Sequence, residues 1–230
     1  MKNNKFIGYY HYGVILTYMS AAAGIVGSFL SVTVSPEWGV ICLLISGLCD
    51  AFDGAVAKTR KNRTEDDKIF GIQIDSFSDL IAFGVAPVMI GYGMGMHAWY
   101  YIIVFCLFVL CALIRLAYYN VLEEIRTRDP ESGRLIAYFG LPVTCIAVGL
   151  PIFYLVATIF EVTLATQLIM LACYLIAGFL YILKFKMPKL RIKGLIVTIA
   201  IVTALIIGLF LARHFVRDLW FMFNRDFWLN

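Results

Sequence analysis

Residues 36–60 read PEWGVICLLISGLCDAFDGAVAKTR. The stretch is long and apolar enough for a membrane helix, which needs about 20 such residues to cross the hydrocarbon core. Yet it carries Asp50 and Asp53. A carboxylate at membrane depth is costly, and is kept where it binds or reacts with something. The next apolar stretch opens on GIQIDSFSD, residues 71–79, which holds Asp75 and Asp79. Spacings of three and of four each put a pair on one helix face. If the two helices are antiparallel neighbours, four carboxylates point into one small volume.

The apolar character extends to the whole chain. Of 230 residues, 62% are hydrophobic and 15% charged, and the mean hydropathy is +0.86. A soluble domain is about 45–50% apolar and about 25% charged. The composition therefore predicts an all-α, polytopic transmembrane helical bundle. Spans are expected near residues 13–33, 36–60, 73–95, 98–122, 136–160, 164–184 and 194–213, separated by Ser35-Pro36, Gly93 and Gly95, Asp129-Pro130 with Gly133, and Pro188. Residues 1–12 read as a polar and aromatic N-terminal segment without a cleavable signal, and residues 213–230 as an interfacial amphipathic helix. The net charge of +4 is dispersed among the spans and is no nucleic-acid footprint. Six cysteines all fall in apolar segments. They form neither a disulfide framework nor a Cys/His metal pattern.

Charge fixes the expected orientation. The connections at 33–36, 93–97 and 160–164 carry no Lys or Arg. The N-terminal segment carries Lys2 and Lys5, and the remaining connections carry clusters such as Lys58, Arg60, Lys61, Arg63 and Lys68. The positive-inside rule places the second group in the cytoplasm, with both aspartate pairs at the cytoplasmic ends of their helices. Asp50 precedes Lys58 by eight residues, about 12 Å along a helix, which is below the interface but reachable from it.

The donor set is oxygen alone. It suits a hard cation, Mg²⁺, Mn²⁺ or Ca²⁺, over zinc or copper. Such a cation takes phosphate oxygens on its open side, and the basic loop from Lys58 to Lys68 would attract a polyphosphate. One carboxylate left free of metal could serve as general base. Gly54 and Ala57 share the face of the first pair, and Gly71 precedes the second; small residues let a helix or a bulky ligand approach the backbone.

The stretches DAFDGAVAK (50–58) and GIQIDSFSD (71–79) resemble the D-x-x-D-G-x-x-A-R…G-x-x-x-D-x-x-x-D signature of the CDP-alcohol phosphatidyltransferases. The resemblance implies a six-helix membrane core over residues 13–184, with residues 185–230 supplying an additional C-terminal helix and the amphipathic segment. It implies transfer of a phosphoalcohol group from a CDP-linked donor to an alcohol, with release of CMP. By position, Asp50, Asp53 and Asp75 resemble the metal ligands, and Asp79 the general base, which also touches a second metal. Gly54, Ala57 and Gly71 would line the nucleotide, with Thr17 of the first helix at the cytidine. Lys58 stands where the signature has Arg, keeping the charge but not the bidentate geometry, and Arg60 is the candidate replacement. Ser20 stands where the first helix often has Asn. The segment KNRTEDDK (61–68) is expected as a solvated loop, its acids remote from the metal.

Three further stretches, DSFSDLIAFGVAP (75–87), ALIRLAYYN (112–120) and FGLPVT (139–144), resemble the phosphatidylserine synthase branch of that family. The implied substrates are CDP-diacylglycerol and L-serine, the implied assembly a homodimer, and the implied location a bacterial or archaeal plasma membrane with the site facing the cytoplasm. Arg115, well inside a span, could anchor the lipid phosphate or the serine carboxylate, with Asn120 beside it. Glycerol 3-phosphate and inositol or inositol phosphate are the alternative acceptors, and a phosphate would demand more basic residues near the site. A cation transporter is a rival of another class. It predicts a midplane site between inverted repeats, whereas these aspartates lie toward one end and no matching second half is present.

Overall fold

A computed structural model of the chain describes residues 14–58, 64–128, 140–159 and 163–185, with Gly8, Ala204 and Gly208 as isolated positions. All the elements are helical. Helices α1 (Ile15–Thr33) and α2 (Pro36–Lys58) form a tight pair. Helix α3 (Glu65–Asp79) runs through a π-helical turn (Leu80–Val85) into α4 (Ala86–Gly93). Then come α5 (Trp99–Arg128), a 3₁₀ turn (Val143–Cys145) leading into α6 (Ile146–Ile159), and α7 (Thr163–Ile182). Four of these stretches are long and apolar enough to cross a membrane: α1, α3 through α4, α5 and α7. Helix α2, with 23 residues, and α6, with 14, pack among them. The expected span at 194–213 and the amphipathic segment after it lie outside the described residues.

Helix α1 buries its polar and small side. Thr17, Ser20, Gly24, Gly27 and Ser31 are its buried residues, spaced three and four apart like the seam of a coiled coil. The large apolar residues, Met19, Ile25 and Phe29 among them, are the exposed ones. In lipid, association of helices relies on close packing and interhelical hydrogen bonds rather than on apolar burial. A Cβ added at Gly24 would stand 2.8 Å from the Ala82 Cα, and one at Gly27 2.6 Å from the Cys42 Cβ. Ser20 and Ser46 clasp the α1/α2 pair reciprocally, each hydroxyl donating to the other's carbonyl, at 3.2 and 2.9 Å. This is what occupies the position where the family often has Asn.

Two expected boundaries move. The third span begins at Glu65 instead of 73, because Thr64 caps it. The Thr64 hydroxyl accepts the Asp67 N–H at 3.1 Å, and the Asp67 carboxylate accepts the Thr64 N–H at 3.2 Å. This reciprocal capping box is reinforced by acids in the first turn, where the helix dipole favours them. The end of the expected loop at 61–68 is therefore helix; residues 61–63 lie outside the description. The resulting rod of 29 residues is about 43 Å long, well over the roughly 30 Å hydrocarbon core. Its first turn carries Glu65, Asp66, Asp67 and Lys68, ahead of the aspartates.

Within the fifth expected span, 136–160, residues 140–142 are not helical and the helical turns begin at Val143; residues 136–139 lie outside the description. Gly140 adopts φ +72°, donating its N–H to the Phe185 carbonyl at 2.9 Å, while Leu141 donates to Leu180 at 3.2 Å. This strap around the end of α7 leads to Pro142, after which the helix starts.

The π turn has a local cause. Pro87 lacks an N–H and its ring crowds the carbonyl four residues back; the widened turn ends at Ala86, whose N–H reaches the Ile81 carbonyl five residues back. Ser78, Ala82, Ala86 and Ile90 are all buried. Three steps of four would drift about 120° in an uninterrupted α-helix, and the wider turn holds them on one side. Behind it, Tyr174 is fully buried and donates to the Pro87 carbonyl at 2.7 Å, with Phe105 and Phe108 edge-on to its ring.

Because Gly24 meets backbone, Gly24→Ala should lower the thermal stability of the detergent-purified protein by about 1–3 kcal/mol, the usual cost of overpacking. Ile25→Leu, on the exposed face of the same helix, should leave the melting temperature unchanged.

Candidate active site

The cluster stands on α2 and α3, one turn apart within each helix. Asp50, Asp75 and Asp79 each bring a carboxylate oxygen to within 4.8 Å of the other two. Asp53 completes the group: it accepts the Thr17 hydroxyl on Oδ2 at 3.0 Å and contacts Asp75, as Asp50 contacts Asp79. Asp53 and Asp79 are 8% and 9% exposed, and Asp50 and Asp75 are half-buried. Among the described residues no lysine or arginine forms an ion pair with any of the four. Ionised carboxylates only accept hydrogen bonds. Groups in such contact therefore need a shared proton or a bridging cation. An all-oxygen set this compact fits a hard divalent ion, so the cluster is able to hold a metal.

The structure thus brings together the four aspartates that the sequence singled out, with Thr17 beside them. Gly54 is exposed, and among the described residues a Cβ on it would meet nothing within 4 Å. Packing gives no reason for a glycine there, although one inside a helix costs about 1 kcal/mol relative to alanine. The space beside the cluster is open. Gly71 lies on α3 one turn before Asp75, partly exposed. Ala57 and Lys58 end α2, with side chains outside the description, and Arg60 lies outside the described residues.

Arg115 approaches from α5. Its guanidinium carbon sits 4.4 Å from the centre of the Tyr119 ring, its Nε is buried without a partner, and Asp79 and Cys145 lie within range of its charge. Tyr119 is thus a platform for that cation. Asn120 is engaged with α3: its Oδ1 accepts the Ser76 hydroxyl at 2.6 Å. Ser78 donates to the Thr17 carbonyl at 2.8 Å. Neither serine stood out in the sequence as a site residue. Their signal was their place inside D-S-F-S-D, between the two aspartates.

A model of the family described as CDP-alcohol phosphatidyltransferase matches residues 11–206. The chain belongs to that family. The CDP-alcohol phosphatidyltransferase match runs past residue 184, where the six-helix core was expected to end. Among its relatives is the archaetidylserine synthase of Methanothermobacter thermautotrophicus, 32% identical over 182 residues, covering 79% of this chain and 73% of that protein. The CDP-diacylglycerol–serine O-phosphatidyltransferase of Saccharomyces cerevisiae is 36% identical over 115 residues, covering 49% of this chain and 40% of its own. Its namesake from Helicobacter pylori is 37% identical over 116 residues, covering 48% and 42%. The chain therefore spans less than half the length of the latter two.

If the cluster holds the cation, Asp75→Asn should weaken Mn²⁺ binding at least tenfold. Electron paramagnetic resonance titration of the purified protein measures this, and Glu65→Gln, on the first turn of α3, should leave the affinity unchanged.

Proposed function

We propose that the chain transfers the phosphatidyl group of CDP-diacylglycerol to L-serine, giving phosphatidylserine and CMP. The observation that carries this is the convergence of Asp50, Asp53, Asp75 and Asp79 beside the open volume at Gly54, in a family member whose relatives are named for serine products. The archaeal relative differs from the others in its lipid name and agrees with them in its serine. That agreement favours serine over glycerol 3-phosphate or inositol, and family membership favours transfer over ion transport. The reading includes a homodimer in a bacterial or archaeal plasma membrane, with the cluster facing the cytoplasm; the alternation of basic and uncharged connections supports that orientation.

In this mechanism Asp50, Asp53 and Asp75 would hold Mg²⁺ or Mn²⁺, which when bound would supply charge screening at the pyrophosphate and the phosphorus. The cytidine diphosphate head lies over Gly54, Ala57 and Gly71, with Lys58 and Arg60 toward the phosphates, while the acyl chains stay in lipid. Arg115 receives the serine carboxylate, for which its forked donors are suited, and the Asn120 amide, oriented by Ser76, offers a second donor. Asp79 takes the proton of the serine hydroxyl as that oxygen bonds to the phosphorus bearing diacylglycerol. The bond from this phosphorus to the bridging oxygen breaks, and CMP leaves.

The test is the purified protein with CDP-diacylglycerol, Mn²⁺ and labelled serine, glycerol 3-phosphate or inositol in turn. Labelled lipid and CMP are expected with serine; labelled lipid from another acceptor instead would overturn the assignment. Asp79→Asn should reduce turnover at least 100-fold, within the range for a lost general base, with CDP-diacylglycerol affinity within about twofold. Wild-type turnover in that variant would remove Asp79 as the base.

Gly54→Ala separates packing from binding. The methyl enters open space, so the melting temperature should hold or rise, helix propensity favouring alanine by up to about 1 kcal/mol. The affinity for CDP-diacylglycerol should fall, read by calorimetry.

A further inference from the structure

Thr17 and Ser78 form a chain of hydroxyls that ends on a carboxylate. Ser78, on α3 next to Asp79, donates to the Thr17 carbonyl at 2.8 Å, and the Thr17 hydroxyl donates to Asp53 Oδ2 at 3.0 Å. The three side chains are 4%, 4% and 8% exposed. Thr17 therefore presents almost no surface to a ligand, and its single hydroxyl proton is committed. We propose that Thr17, held by Ser78, is a positioning residue that orients Asp53 toward the cation, rather than a contact of the cytidine.

The donated bond fixes the carboxylate plane. A hydroxyl on Oδ2 occupies one acceptor site of that oxygen and restrains rotation of the carboxylate, so Asp53 is held in one orientation toward a cation instead of swinging. Groups that hydrogen-bond to metal ligands from behind commonly set affinity by 10–100-fold without touching the metal. The link through Ser78 adds a second property. Asp53 belongs to α2, Ser78 to α3 and Thr17 to α1, so the orientation of one ligand depends on the placement of the helix that carries two others. The tight seam at Gly24 and Ala82, two turns along the same face, keeps α1 where this link requires it.

This inference rests on the metal-assisted reading above, and its test uses metal binding directly. Thr17→Val removes the hydroxyl with little change of shape, Thr17→Ser retains it, and Ser78→Ala removes the upstream donor. In the full-length purified protein, titrated with Mn²⁺ and followed by electron paramagnetic resonance, Thr17→Val should raise the Kd at least tenfold. Thr17→Ser should stay within about threefold of wild type, and Ser78→Ala should rise by about threefold to tenfold. With Mn²⁺ raised to saturation, the KM for CDP-diacylglycerol in Thr17→Val should return to the wild-type value. An unchanged Mn²⁺ Kd in Thr17→Val, or a raised KM that persists at saturating Mn²⁺, would overturn the proposal and return Thr17 to the nucleotide pocket. If Thr17→Val does not fold, the Kd of Ser78→Ala decides, and a wild-type value there defeats the proposal. Failure of wild-type protein to modify serine would end the acceptor reading yet leave the Mn²⁺ result standing, so the two failures are distinguishable.

Discussion

The residues that helix α1 buries between Ile15 and Thr33 are no larger than threonine, and the aspartate cluster depends on how near that lets the helices come. Gly24 against Ala82 and Gly27 against Cys42 bring α1 to the backbone of α4's leading turn and of α2. At that separation short hydroxyls span the gap: Ser20 and Ser46 reach each other's carbonyls, and Thr17 reaches Asp53. With a larger residue at Gly24 the hydroxyls would fall short, because none has a flexible stem to follow a receding partner. The apolar core around Tyr174, on the far side of α4, holds the same rod from behind. The cluster is thus set by helix spacing on one face and by aromatic packing on the other.

The sequence carried the aspartate pairs plainly, because their spacing is a property of one helix at a time and needs no knowledge of the neighbours. Their expense in an apolar run made them conspicuous, and charge alternation ordered the spans around them. The helix start at Glu65 was harder to read. Its cap pairs Thr64 with Asp67, where the usual pattern has Glu or Gln at the third position, and the polar run KNRTEDDK looks the same as loop or as solvated helix. The turn at Gly140 was likewise hidden, because it rests on the Phe185 and Leu180 carbonyls, which no local pattern encodes.

Helix α1 also reverses a habit learned from soluble proteins. Reading apolar residues as the packed side would turn Met19, Ile25 and Phe29 inward, whereas they are exposed and the serines and glycines are buried. In lipid the apolar side has an apolar solvent, so the residues that need partners are the ones that pack. The roles of Ser76 and Ser78 stayed hidden for a related reason. A serine in a span is ordinary, and whether it meets Asn120 or the Thr17 carbonyl depends on the crossing of helices. The π turn is a similar case: Pro87 announced a disturbance, but its form follows from the surfaces on which Ser78 and Ile90 must both be buried.

The placement of polar groups divides the region around Asp79 into two sides of unlike chemistry. Toward α1 and α2 lie the other carboxylates and the open space at Gly54, a setting for a cation and the phosphates it attracts. Toward α5 lie Arg115 on its Tyr119 platform and the Asn120 amide held by Ser76, a setting for a small anion with few donors to spare. An acceptor with its own phosphate would bring about twice the negative charge of a carboxylate to one arginine, beside an already acidic cluster. A zwitterion asks less: its carboxylate meets the arginine, and its ammonium is at ease near the aspartates. The acidic surplus that makes the cluster costly in a bilayer thereby supports the proposed serine acceptor.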